Sequence, residues 1–178
     1  MTDHDKNPIR GRGASDNPAN RFEGTYTDYD LDEETGEKPT QDTKLIRDDT
    51  KQVLSKNESP DIPFTYGLNP YRGCEHGCIY CYARPTHEFL GFSAGLDFES
   101  RIMVKYDAAK KLRSKFASTS WHPESVTLSG VTDPYQPIKG EWQITRACPN
   151  VFPKPPNPVA IITKNYLVTR DIDLLKEL

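Results

Sequence analysis

"FTYGLNPYRGCEHGCIYCYARP", Phe64–Pro85, decides how this chain is read. Its first five residues predict a short strand over 64–68 that leads directly into a cysteine loop. Cys74, Cys78 and Cys81 follow at the spacing C-x3-C-x2-C, with Tyr80 immediately before the third. Three of the chain's four cysteines therefore sit within eight residues.

Working outward, "RIMVKY" (101–106) is a β-rich run. Asp107 then stands where a helix N-cap belongs, ahead of "AAKKLRSKFA", whose Ala108, Leu112 and Phe116 share one face. "SVTLSGV" (125–131) predicts a strand stopped by the turn formers of "TDPYQP". "VAIITK" (159–164) is nearly continuously apolar, as in a strand covered on both faces of a parallel sheet. "TRDIDLLKEL" at the end predicts a helix with Ile172, Leu175 and Leu178 facing inward. Strand and helix alternate, which predicts an α/β fold of about three right-handed βαβ units between residue 63 and the terminus.

Upstream, residues 1–60 read as an acidic leader, largely extended or disordered, with the ordered core over 61–178. "DNPANRFEGTYTDYDLDEETGEKPTQD" is poor in aliphatic residues and punctuated by Gly, Pro and Asn, the composition of poorly ordered chain. The other reading is an arm laid over the domain and anchored by Phe22, Tyr26, Tyr29 or Leu45. Charge is uneven: −5 over residues 1–60 and +2 over the remainder, for a net of −3. That sum argues neither for nor against nucleic acid, because a local basic groove would be hidden in it. No apolar run approaches the ~20 residues that span a bilayer, and "MTDHDKNPIRGRG" lacks the apolar region of a secretory signal. A cytoplasmic, reducing location follows. There a cysteine cluster is a metal or redox site sooner than a disulfide framework.

Three thiolates in one loop make a soft metal site. A structural zinc ion needs four ligands, usually from two separated pairs. Cys148, His76, His87 and His122 are available as a fourth, but none stands at a zinc spacing. A [4Fe–4S] cluster held by three cysteines fits better, since it leaves one iron open for chemistry.

The C-x3-C-x2-C spacing with an aromatic before the last cysteine resembles the radical S-adenosylmethionine (SAM) enzymes. "NPYRGCEHGCIYCYARPTHEFLGFSAGLDFES" (69–100), "LSGVTDPYQPIKG" (128–140) and "AIITKN" (160–165) narrow the resemblance. They are similar to the DNA repair photolyase-like branch, relatives of spore photoproduct lyase, over roughly Asn57 to Leu178; "GRGASDNPANRFE" (11–23) also fits that branch.

This resemblance implies a lyase-like enzyme with a [4Fe–4S] cluster and SAM as cofactors. It implies reductive SAM cleavage to a 5′-deoxyadenosyl radical that abstracts hydrogen from substrate, and an external one-electron reductant of flavodoxin or ferredoxin type. Nucleic acid stays open as substrate. Cys74, Cys78 and Cys81 match the iron ligands, and Tyr80 the aromatic beside the adenine of SAM. The resemblance implies that Ser129, Gly130, Thr132 and Asp133 of the "SGVTDP" turn approach the methionine amino group, and that Lys164 pairs with the carboxylate. Arg72 and Arg84 flank the loop and stand to offset its negative charge. Cys148 does not align with the hydrogen-donating cysteine of spore photoproduct lyases.

The implied fold is the N-terminal half of a partial (β/α)6 TIM-like barrel, since about six βα units are usual and three are expected here. The rival reading is a catalytically incomplete fragment that binds iron or zinc through the loop. "ACPNVFPKPPNPV" (147–159) also departs from the pattern. Each proline in a helix interior costs about 3 kcal/mol, so the second helix is expected to end near Cys148, with a loop leading to Pro158.

Overall fold

A computed structural model of the chain describes residues 9, 11–23, 42–138, 143–153 and 157–178. Tyr26 and Tyr29 lie outside those residues, as do Pro155 and Pro156. In chain order the elements are β1 (Lys44–Arg47), β2 (Leu54–Lys56), β3 (Tyr66–Leu68), β4 (Tyr71–Arg72), α1 (Leu96–Ser100), β5 (Arg101–Val104), α2 (Ala108–Phe116), β6 (Val126–Leu128), α3 (Ile144–Ala147), β7 (Val159–Ile161) and α4 (Ile172–Leu175). Short 3-10 helices cover Arg84–Leu90, Pro149–Val151 and Tyr166–Asp171.

Two compact units interleave along the sequence. One takes the described residues of Met1–Ile46 with Gly73–Ile102; the other takes Arg47–Arg72 with Met103–Leu178.

The second unit holds a four-stranded sheet in the order β2-β3-β6-β7. β3, β6 and β7 run parallel in register, Gly67 opposite Thr127 and Thr127 opposite Ala160, while β2 pairs antiparallel on the outer side of β3. The strands predicted at 64–68, 125–131 and 159–164 thus form one parallel set. "RIMVKY" does not join them: β5 pairs antiparallel with β4, Tyr71 opposite Val104 and Arg72 opposite Met103, in a second small sheet. The reason is local, because Lys105 at its end donates to the Asn69 carbonyl that follows β3, at 2.9 Å.

Leu68, Val126, Leu128, Ala108 and Leu112, all fully buried, make the core, joined by Val53, Leu54, Cys148 and Phe152. Each fully buried Val or Leu side chain contributes about 1.5–3 kcal/mol. α2 presents Ala108 and Leu112 inward as its spacing predicts, and Phe116 packs on Trp121 and Phe152 with ring centroids 4.9 Å apart in both pairs. Asp107 occupies the N-cap position but makes no cap hydrogen bond; its carboxylate takes the Arg47 guanidinium at 2.6 Å instead.

Two expectations about burial change. β7 is half-exposed rather than covered on both faces, because it is the last strand of its sheet. Ile172 faces solvent and Asp171 is the buried residue, held by Arg146 and Arg170 at 3.0 and 2.8 Å; Leu178 still packs on the core. α3 stops at Cys148, where Pro149 begins the 3-10 turn, and Phe152 is extended, as proline chemistry requires.

Regular structure also begins before residue 60. Leu45 and Ile46 in β1, and Val53 with Leu54 at β2, are the aliphatic residues that the leader's average composition conceals. Among the described residues, no helix is long and apolar enough to cross a membrane.

Candidate functional site

The cysteine loop belongs to the first unit, and its conformation is set by two glycines in the left-handed region, Gly73 (φ +82°) and Gly77 (φ +62°). Space is as limiting as dihedral angle. A Cβ on Gly77 would stand 2.9 Å from a Glu99 carboxylate oxygen and 3.0 Å from the Gly13 nitrogen. One on Gly13 would stand 1.7 Å from the Gly77 carbonyl oxygen. The Cys74 amide donates to the Phe98 carbonyl at 2.8 Å, and Cys81 donates to the Cys78 carbonyl at 3.2 Å. Cys74 is buried with Ala83 and Phe98; Cys78 and Cys81 are half-buried, with Cys81 packed on the same cluster.

Behind the loop stands Glu99, fully buried, with both oxygens engaged. One accepts the Gly13 amide at 2.9 Å; the other accepts the Ala14 amide at 2.9 Å and the Arg84 guanidinium. Arg84 also donates to the carbonyls of Cys78 at 3.1 Å and Gly95 at 3.2 Å. Its charge thus fixes the loop backbone, where the sequence pointed to compensation of thiolates. Arg72 is likewise committed, paired with buried Asp48 at 2.9 Å.

Residues 11–23 wrap this same unit. Asn17 and Asp97 exchange bonds of 2.9 and 3.2 Å, Asn20 donates to the carbonyls of Glu88 and Phe92, Arg21 pairs with Glu88 at 2.6 Å, and Phe22 stacks on Phe89 at 4.9 Å. Of the residues named as anchors of an arm, Phe22 is thus packed within this unit. Glu99 and Asn17 were missed by sequence reasoning. The signal for Glu99 is its place beside Asp97 in "LDFES" (96–100), where burial obliges a carboxylate to find donors; Asn17 carries none.

His87 is fully buried too, with Nε2 3.0 Å from the Arg101 carbonyl and its ring edge-on to Phe98. Burial lowers its pKa from 6.5 to about 4. The unfolded chain therefore takes up the proton first as pH falls, so this contribution is whole above pH 6.5 and drains away toward pH 4. Urea titrations should show about 2 kcal/mol less stability at pH 5 than at pH 8 from this group. His87→Gln should flatten the slope; an equal slope in both chains would remove His87 as its source.

All four cysteines lie among the described residues, and none is in a disulfide. Cys148 is fully buried, donates to the Ile144 carbonyl at 3.3 Å, and has its thiol pKa pushed up to about 12 by burial. That is an inert thiol. Tyr80 is 77% exposed, and Ile79, Tyr82 and Phe89 are comparably exposed.

Among the described residues, no three His, Cys, Asp or Glu side chains come together as the ligand set of one ion. A four-iron cube sets a different requirement, since each thiolate bonds a different iron and the three need not meet at one point. Three reduced thiols on one glycine-shaped loop fit that donor chemistry.

The remaining candidates lie in the second unit, at the carboxyl ends of β3, β6 and β7, where open parallel sheets bind ligands. Asp133 joins the turn after β6 to the end of β7. One oxygen accepts from the Tyr135 amide at 2.8 Å and the Thr163 hydroxyl at 2.7 Å, and the other accepts the Lys164 amide at 2.7 Å. Ser129 donates to the Thr132 carbonyl at 3.2 Å, and the Thr132 hydroxyl donates to the Tyr71 carbonyl at 3.1 Å. These side chains build the turn first, although a hydroxyl that donates inward keeps its lone pairs. Gly130 (φ +107°) stays open: a Cβ there would meet nothing closer than Phe64, at 3.8 Å. Lys164 is exposed. Buried Lys105, which the sequence reading did not single out, completes this end through Asn69, whose side-chain oxygen accepts the Thr132 amide at 3.4 Å.

Ser129 holds φ +129°, the one non-glycine with positive φ among the described residues. Such a conformation costs about 1–3 kcal/mol and clusters at functional sites. Ser129→Gly and Ser129→Ala lose the same hydroxyl, so the glycine variant should be the more stable by about 1 kcal/mol in denaturant titration. The opposite order would show that the turn is not strained.

No family model matches the chain, and no solved structure does. It is 41% identical over 132 residues to an uncharacterized protein of Mycobacterium tuberculosis (strain H37Rv), a match covering 71% of this chain and 39% of the relative. An uncharacterized protein of Mycobacterium bovis matches to the same extent. An uncharacterized protein of Methanocaldococcus jannaschii is 28% identical over 134 residues, covering 75% of this chain and 48% of the relative. The chain spans less than half the length of these relatives.

Proposed function

We propose that this chain carries the cluster-binding part of a radical SAM enzyme of the DNA repair photolyase-like kind. The observation that carries the reading is the trio Cys74, Cys78 and Cys81, undisulfided, on a loop whose backbone is fixed from behind by Glu99 and Arg84. Those three thiols would hold a [4Fe–4S] cluster. When bound, cluster and SAM together supply one-electron reductive cleavage and hydrogen abstraction. The chain's own residues bind and orient. Gly130 offers backbone without a side chain in the way. Asp133 holds the turn after β6 and the Thr163–Lys164 end of β7 in one arrangement. Exposed Tyr80 is available as a flat surface for an adenine.

The test is iron, sulfide and zinc per chain after anaerobic purification, with the visible spectrum. About four irons and four sulfides with a brown chromophore support the reading. Zinc alone, at one per chain, favours the fragment reading and sinks this one.

A further inference from the structure

On the second unit, β2 and α2 enclose a cavity of about 290 Å3, and Lys51, Lys56, Lys111 and Lys115 all line it. Its remaining lining is Gln52, Val53, Leu54 and Tyr66, with no carboxylate. A second cleft of about 250 Å3 shares Lys51 and Lys111 and adds Lys110. The acid beside that second cleft, Asp107, already pairs with Arg47 at 2.6 Å. α2 itself, "AAKKLRSKF", carries four cations and no acid.

Five ammonium groups along two adjoining clefts repel one another, and no salt bridge among the described residues offsets any of them. Two are held in place. Lys111 Nζ donates to the Thr50 carbonyl at 2.6 Å, and Lys115 Nζ lies 5.9 Å from the Trp121 ring centre. A chain with a net charge of −3 has nonetheless gathered these cations on one concave surface. Folding alone gives no reason for this, because like charges packed together weaken a fold.

We infer that this lysine cleft binds a run of consecutive phosphate groups. Lysine presents a point charge without the planar fork of arginine, so recognition here counts charges and does not read one shaped group. Two clefts joined through shared lysines suit an anion that repeats, either a free oligophosphate or the backbone of a nucleic-acid strand. The inference does not rest on the iron–sulfur reading.

Fluorescence anisotropy of a labelled twelve-nucleotide oligothymidylate, between 25 and 200 mM NaCl, tests it, with sodium tripolyphosphate as competitor. Each backbone contact on a single strand contributes about −0.7 to the slope of log K against log salt, so four contacts predict a slope near −3. Lys51, Lys56 and Lys115 are exposed, so replacing all three by Gln should leave the chain folded, with a melting temperature no lower than the parent's. That triple variant should weaken binding at least ~10-fold and flatten the slope by about 2. Lys44→Gln with Lys176→Gln, exposed positions outside the clefts, should change neither. Competition by tripolyphosphate identifies a free oligophosphate as sufficient; binding of the oligonucleotide without competition identifies the strand. No binding of the oligonucleotide at 50 mM salt, a triple variant that binds like the parent, or equal loss in the control pair overturns the inference.

Discussion

Cys78→Ala, purified anaerobically, should carry less than about a tenth of the parent's iron and sulfide. Loss of groups that merely orient a metal's ligands already costs about 10–100-fold in affinity, and a missing thiolate removes a bond to iron outright. The fold should survive the change. Cys78 is half-buried, and a substitution away from the core usually stays within about 0.5 kcal/mol. Cys148→Ala should give the reverse pattern, because that thiol is fully buried in the second unit's core and far from reactive. Its iron should match the parent while its stability falls by about 1 kcal/mol, the scale of a small cavity. Metal analysis beside denaturant titration reads both columns at once. Iron retained in Cys78→Ala, or lost in Cys148→Ala, would mean that the trio is not the binding loop.

The second large effect belongs to Glu99. Glu99→Gln keeps the shape but leaves the Arg84 guanidinium, itself only 12% exposed, without its counter-charge. Breaking a buried pair from one side costs about 3–5 kcal/mol, a large part of the 5–15 kcal/mol that a domain holds in total. For a chain of this size the melting temperature should fall by about 10 °C. Replacing both partners, Glu99→Gln with Arg84→Met, should cost less than the single change, since no buried charge is then stranded. The loop should lose its conformation with the pair, and iron uptake on reconstitution should fall together with the melt. A single variant within 2 °C of the parent would show that Glu99 is not what braces the loop.

How much of this was legible follows from where each signal lives. Thiol spacing is local, so the trio Cys74, Cys78 and Cys81 stands out in the sequence; the strands expected over 64–68, 125–131 and 159–164, apolar runs with turn formers beside them, were legible too and are shorter in the structure, 66–68, 126–128 and 159–161. Proline chemistry is local as well, and α3 ends where it should. What the sequence hid is pairing at a distance. Glu99 looks like any carboxylate until Gly13, Ala14 and Arg84 converge on it, from 86, 85 and 15 residues away. β5 was legible as a β-rich run, but such a run does not announce its partner, and its antiparallel pairing with β4 was not read. The polar residues of "SGVTDP" pointed to a ligand, and the structure shows Ser129 bonded within the turn, Thr132 to the Tyr71 carbonyl and Asp133 to Thr163 and Lys164, as buried polar groups require.

The interleaving of the two units has a practical edge. Residue 60 is where composition invites a cut, and removing what precedes it would delete β1, β2 and the whole Gly11–Glu23 wrap. Glu99 would lose two of its donors, and β3 would become a bare sheet edge inviting other chains to pair. Neither unit is one continuous stretch, so no single break releases either intact. Anyone shortening this protein for crystals or assays should trim elsewhere, because its least protein-like sequence contains part of its scaffold.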